Sequence, residues 1–347
     1  MSGRHRDWID PLAILALIGL VVGCLVIAVT SSGGNRPPIT PPANAVGAVV
    51  QPVDPSGPPI GAAPAKDGRS PSRNGLPQPR RVQQLTLDGT RQRCVTTPAQ
   101  HLRVVSFNIH SGWNHDRTRL MLDEIATEMA AMRADVFLLQ EVDQNRVWNG
   151  RVDEPGVLAA RLGMQYSFAT NVLRAGDSRY GTAILSRYPI TSSRNTLLPR
   201  RPGTQQRGLL HAVIAPAGRP LSLYVTHLEH TSSDMRLEQA RAMAPILAAD
   251  PNPLILGGDM NARPLSPPMT TLASVVQDSW TQVGSGPGLT HPALVPRSRI
   301  DYLLHRGDIA PLDSAVVRSA VSDHRIVVTD FDLSPSSADQ VCVPILR

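Results

Sequence analysis

From residue 31 to about residue 90 the chain has almost nothing from which to build a core. The stretch is crowded with Pro, Gly, Ser and Ala, and such a segment cannot bury enough surface to offset the entropy of ordering it. Pairs such as Pro37-Pro38, Pro41-Pro42 and Pro58-Pro59 favour extended, semi-stiff spacing, so 31–93 is read as a disordered linker. The fold must come from residues 94–347, which can hold one large domain or two ordinary ones.

Before the linker, Arg4, His5 and Arg6 precede an apolar run from Pro11 to about Val29 that no charge interrupts. That length spans a bilayer as a helix, and the positive flank stays inside. The expectation is a cytoplasmic segment 1–10, a transmembrane anchor or signal segment 11–30, and a single-pass protein of the cell membrane with its folded part outside the cytoplasm. A secreted form, cleaved near Ala28, and a lipid-anchored form are the alternatives, the latter because Val21-Val22-Gly23-Cys24 resembles a bacterial lipobox. Only Cys94 and Cys342 lie outside this segment, bracketing the folded region. In an oxidising compartment one disulfide is the economical reading, with two free thiols as the alternative.

The positive charge is uneven. Residues 1–94 carry nine Arg and the lone Lys66 against five acids, whereas residues 95–347 carry 24 Arg against 23 acids. A broad nucleic-acid binder usually shows a basic face, so this balance weakens a nuclease reading without excluding it. Seven arginines between Arg174 and Arg207 nonetheless share a stretch whose only acid is Asp177.

From about residue 100, strand-like and helix-like runs alternate. A strand is predicted over 101–108 and an amphipathic helix over about 117–133, whose Leu122, Ile125, Met129 and Met132 recur at helical spacing as core residues. Further strands are predicted at 135–139, 181–185, 208–214, 221–226, 254–256, 300–304, 315–317 and 325–331, with a helix near 234–249. A polar group stands at the end of each of several apolar runs: Asn108, Glu141, His227, Asp259 with Asn261, Asp301, and Asp323 with His324. Singly each is a turn or surface residue; six such places in one order point to a shared cleft. At Gly257-Gly258-Asp259-Met260-Asn261 the glycines permit a sharp turn or a close approach. Asp259 and Asn261, two apart, share one face if extended and would orient and deprotonate a water. An Asx turn closing the strand is the alternative.

These segments resemble the endonuclease/exonuclease/phosphatase metallohydrolases: Phe107-Asn108-Ile109, Leu139-Gln140-Glu141-Val142, Gly181-Thr182-Ala183-Ile184-Leu185-Ser186, Thr226-His227-Leu228, Gly258-Asp259-Met260-Asn261-Ala262, Arg299-Ile300-Asp301-Tyr302 and Ser322-Asp323-His324-Arg325. The resemblance spans about residues 100–333. It implies an α/β fold, a four-layer α/β/β/α sandwich of two mixed sheets. It further implies Mg²⁺, with Mn²⁺ as a substitute, held by Glu141 with Asn108 and Asp323. Asp259 and Asn261 would position the attacking water, Asp259 taking its proton, and His324, bonded to Asp301, would act on the phosphate. His227 would serve as general acid or transition-state donor. Arg207 is a weaker candidate for phosphate contact, a solvated strand-end arginine being the favoured reading.

The function expected is an extracytoplasmic, Mg²⁺-dependent phosphodiesterase acting as a monomer on phospholipid headgroups or on DNA, with the membrane engaged through the N-terminal segment. A secreted-side DNase is the alternative within the enzyme class, and a non-catalytic envelope module the alternative outside it. Aromatics are scarce, and no exposed aromatic hairpin of a lipid-invading kind is evident.

Overall fold

The computed structural model describes residues 100–114 and 116–333, together with the backbone of short strands at 86–87, 90–95 and 341–344. The apolar run 11–29 and most of the linker lie outside the described residues. Among the described residues no helix is long and apolar enough to cross a membrane.

In chain order the elements are β1 (Thr86–Leu87), β2 (Thr90–Val95), β3 (His101–Asn108), α1 (Leu122–Met132), β4 (Val136–Gln144), α2 (Glu154–Leu162), β5 (Gln165–Leu173), β6 (Arg179–Ser186), β7 (Ser192–Leu197), β8 (Gly208–Ile214) and β9 (Leu221–His227). Then come α3 (Ser233–Ala248), β10 (Leu254–Asp259), α4 (Pro267–Ala273), β11 (Gln277–Asp278), α5 (Ser279–Val283), β12 (Asp301–Arg306), β13 (Ala310–Val317), β14 (Ile326–Asp332) and β15 (Val341–Pro344). One six-stranded sheet runs β13-β14-β3-β4-β6-β5 and the other β11-β12-β10-β9-β8-β7. Both are mixed, because β3 is parallel to β4 and β9 to β10 while their other neighbours are antiparallel. Beside them, β1-β2-β15 form a small sheet in which Cys94 stands opposite Cys342 in the backbone register. The side chains of that pair lie outside the described residues.

Period-two alternation sorts the core into three layers. Leu102 and Val104 of β3, with Val136 and Leu138 of β4, face the second sheet and meet Leu223, Val225, Ile255 and Leu303. Val105, Phe107, Phe137 and Leu139 point the other way, under Ile125 and Met129 of α1 and Leu158 of α2. On the far side Leu254, Leu256 and Leu304 lie under Met243 and Leu247 of α3 and Leu272 of α4. Strands buried on both faces read as near-continuous apolar runs, which is why they were legible. The layer order is α/β/β/α. Gly257 and Gly258 serve this packing and not a turn: a Cβ at Gly257 would sit 2.6 Å from the Leu138 side chain, and one at Gly258 would sit 2.3 Å from the Thr226 carbonyl.

Several predicted boundaries shift. The helix expected from about 117 begins at Leu122, because the Asn114 side chain accepts from the amides of Thr118 and Arg119 and holds 114–119 as a turn. The strand expected to stop at 139 continues to Gln144. Strands β5 and β7, the latter with no fully buried residue, were not anticipated, nor was α2, which Asp153 caps by accepting from the Gly156 amide.

Candidate active site

The two sheets present the same end to one cleft, where side chains join them. Asn108 closes β3, and its Nδ2 donates to Glu141 Oε1 (3.2 Å) and to Asp259 Oδ2 (3.1 Å), so one amide bridges both sheets. Glu141 lies inside β4, where pairing with β6 skips between Leu139 and Val142 and the backbone takes φ 53°. A non-glycine residue at positive φ costs roughly 1–3 kcal/mol and is retained where its surroundings over-determine it. Here the bulge turns the carboxylate out of the strand's alternation toward Asn108.

Register assembles the acid–histidine group. Asp259 pairs with His227 on one side and Asp301 on the other. His324 Nδ1 lies 2.9 Å from Asp301 Oδ2, and its Nε2 lies 3.7 Å from Asp259 Oδ2. His227 Nε2 approaches the same Asp259 oxygen at 3.5 Å. Ser322 fixes the loop that carries His324: its hydroxyl donates to the Asn108 carbonyl (2.7 Å) and accepts from the His324 amide (3.1 Å).

Charge follows from burial and neighbours. Burial pushes the Asp259 carboxyl up to about 7, with Asp301 reinforcing the shift and His324 opposing it. Burial also resists charge on His324, but Asp301 and Asp259 outweigh it and lift the imidazole to about 10, so His324 holds its proton at neutral pH. His227 goes the other way. Burial, then Arg207 and His324, hold it well below its ordinary value, leaving a neutral ring whose Nδ1 is buried without a hydrogen-bond partner. As a neutral imidazole it suits a hydrogen-bond donor better than a proton-carrying acid.

Two expectations change. Asn261 does not extend alongside Asp259: at φ 47° it turns back, its amide donating to Asp259 Oδ1 (2.9 Å) and its side chain to the Leu228 carbonyl (3.1 Å). The Asx turn and the polar site are therefore one feature, with Asn261 orienting Asp259. Arg207 is not solvated. It is 2% exposed, with Nη2 3.3 Å from His230 Nδ1, Nε 3.9 Å from Glu229, and Nε lacking a hydrogen bond. Tyr180 and His227 both feel its charge.

The donor set fits a hard divalent cation. Glu141 offers a carboxylate that only Asn108 engages among the described hydrogen bonds, and Asp323 offers a second. Asn108 gives its carbonyl oxygen to the His110 amide (3.1 Å), so it orients Glu141 while keeping one lone pair for a ligand. Asp259, Asp301 and His324 also bring ligand atoms within 4.8 Å of one another, as do His291, Asp323 and His324. Two residues here escaped sequence reasoning. His110, buried, accepts from Arg117 Nε at Nε2 (2.8 Å) and holds Nδ1 3.8 Å from Asp323 Oδ1. His291 packs its ring 4.6 Å from that of His324. The available signal for His110 was its place two residues after Asn108; His291 sits in a Pro-rich loop with none.

Two packed mixed sheets flanked by helices, with this carboxylate–histidine cleft at their shared end, define a phosphoester hydrolase architecture. The chain belongs to the Endonuclease/Exonuclease/phosphatase family, whose model matches residues 105–324. It is 25% identical over 251 residues to the uncharacterized protein YbhP of Escherichia coli K12, covering 67% of this chain and 96% of that protein. Among solved structures it resembles an endonuclease/exonuclease/phosphatase from Beutenbergia cavernae (TM-score 0.56, 24% identity, 67% of this chain and 72% of the other). The mannosyl-6-phosphatase Bt3783 of Bacteroides thetaiotaomicron shares the fold (TM-score 0.56, 17% identity, 66% and 99%).

Proposed function

We propose that this chain is a Mg²⁺-dependent phosphodiesterase, with Mn²⁺ as a substitute, that works outside the cytoplasm as a monomer on phosphodiesters of lipid headgroups or nucleic acid. The observation that carries it is Asp259 set between a neutral His227 and a protonated His324. The cation, held by Glu141 with Asp323 and the Asn108 carbonyl, would neutralise charge growing on the phosphoryl oxygens. Asp259, raised toward neutrality and pinned by the Asn261 amide, takes the proton of the attacking water. His324, fixed by Asp301, donates a hydrogen bond from Nε2 to a phosphoryl oxygen, and the neutral His227 donates a hydrogen bond to the leaving oxygen, which takes its proton from solvent. Arg207 adds a buried positive charge on the cleft wall. The outside location and the membrane anchor rest on the apolar run after Arg4–Arg6.

Full-length protein assayed with bis(p-nitrophenyl) phosphate should turn over with Mg²⁺ and stop with EDTA. Asp259→Ala and His324→Ala should each lose about 10²–10⁴-fold in kcat, the range for a positioned proton-transfer group. Full activity in both variants would show the site assignment to be wrong.

A further inference from the structure

Nine large apolar side chains are exposed among the described residues, and seven of them crowd one end of the molecule. Val147 and Trp148 follow β4, Leu173 ends β5, Leu197 ends β7, Leu265 follows β10, and Leu294 with Val295 precede β12. The registers Gln144↔Arg179, Leu173↔Arg179, Leu197↔Gly208, Leu209↔Thr226 and Asp259↔Asp301 place all of these at the cleft end of the two sheets. Tyr166 pairs with Leu185 and Leu312 lies early in β13, both away from that end. Leu265 is 89% exposed and Leu173 69%; single exposed leucines are ordinary, and it is their gathering at one end that marks a contact surface. Trp148, 43% exposed, stacks on Trp113 at 5.0 Å, with the Arg146 guanidinium 4.7 Å from the Trp148 ring.

Charge at the same rim is one-sided. The loops at this end (109–121, 145–153, 174–178, 198–207, 228–232, 260–266, 284–300 and 318–325) hold nine exposed arginines, among them Arg151, Arg174, Arg200, Arg263 and Arg297. They hold two exposed acids, Asp116 and Asp177. Three of the nine arginines are ion-paired, Arg151 with Asp177, Arg119 with Glu124 and Arg201 with Glu238, which leaves the rim with an excess of guanidiniums. The residues from 95 onward balance 24 Arg against 23 acids, so this polarity belongs to the rim and not to the domain. Aliphatic tips spread over several loops, an amphipathic indole and interleaved arginines suit the boundary of an anionic bilayer: the tips enter the acyl region and the guanidiniums meet phosphate. Duplex DNA would engage the arginines but give Leu265, Leu294 and Val295 nothing to bury against.

We propose that the cleft end is a docking face for an anionic phospholipid surface, which sets the site of Glu141, Asp259 and His324 toward headgroup phosphodiesters. This deepens the phosphodiesterase reading by choosing lipid over nucleic acid. Docking itself needs no catalysis, so it is tested separately, by hydrogen exchange of the full-length chain. With vesicles of phosphatidylcholine containing phosphatidylglycerol, amides in 145–151, 261–266 and 292–297 should exchange at least tenfold more slowly, and pure phosphatidylcholine should leave them unchanged. The idea is overturned if the chain cosediments with the anionic vesicles while these loops exchange as before. It is also overturned if duplex DNA, or higher protein concentration alone, protects them and vesicles do not. The triple variant Val147→Ser, Leu265→Ser, Val295→Ser should lose the protection and drop turnover of vesicle-borne phosphatidylglycerol at least tenfold while hydrolysing bis(p-nitrophenyl) phosphate as before. Equal loss on both substrates would sink it. A chain protected by vesicles yet inert on every diester would remove the catalytic reading and leave the docking face standing.

Discussion

Two groups of buried acids lie among the described residues, and they are held by different partners. In the cleft, Asp259 and Asp301 share His324, whose protonation they sustain. Behind the cleft, Asp143 and Glu154 face each other with no such cation between them. Glu154 Oε2 accepts from the Asp143 amide (2.8 Å) and Oε1 from Asn149 Nδ2 (3.1 Å), while both Asp143 carboxylate oxygens lack a hydrogen bond. Arg146 comes only to 3.6 Å of Asp143. Burial pushes Glu154 up to about 8, helped by Asp143, and pushes Asp143 up to about 6 against the pull of Arg146. Glu154 therefore keeps its proton at neutral pH. Burial raises carboxyl groups in both clusters, but only the cleft pair holds an imidazolium between its carboxylates.

The comparison can be broken most severely at Asp301. Asp301→Asn should cut kcat by about 10²-fold or more, since it removes the partner that orients His324. It should also lower the His324 pKa by about 1–3 units, the usual effect of losing one adjacent carboxylate. The alkaline limb of the pH–rate profile would then move to lower pH, and an NMR titration of His324 that stays near 10 would contradict the assigned pairing. The same histidine predicts a stability window. Its folded pKa is raised, so its contribution is complete below about pH 6.5 and disappears as pH rises toward about 10.

The second cluster should respond in the same direction over a more acidic window. Glu154 binds its proton more tightly folded than unfolded, so stability should fall as pH climbs from about 4.5 to about 8, by at most about 1.4 kcal/mol per unit. Glu154→Gln should flatten that slope in urea unfolding at successive pH values while leaving kcat near the parent. A slope that persists would place the charge elsewhere. Asp143→Asn should act in the same direction over a narrower window, about 4 to 6, and so give the smallest change.

The pattern of apolar runs with polar ends carried the architecture far. Asn108, His227, Asp259, Asp301 and His324 were visible because strands buried on both faces are unbroken apolar stretches, and a polar residue that stops one stands out. Glu141 was visible as the polar group after the run 135–139, yet its position inside β4 was not, since a bulge leaves no mark in composition. Trp113 and Trp148 escaped as a pair because they are far apart in sequence and come together only where the loops after β3 and β4 meet.

The amino-acid sequence by itself determined the alternation of strands and helices of an α/β fold and most of the polar residues of the cleft. Those features depend on periodicity, composition and local order, which are properties of neighbours along the chain. Tertiary structure alone decided that Arg207 is buried, that Asn261 turns back onto Asp259, that His110 and His291 join the cleft, and that the apolar tips and arginines gather on one rim. Each of these is a matter of burial or of distance between residues remote in sequence, and charge state follows from both.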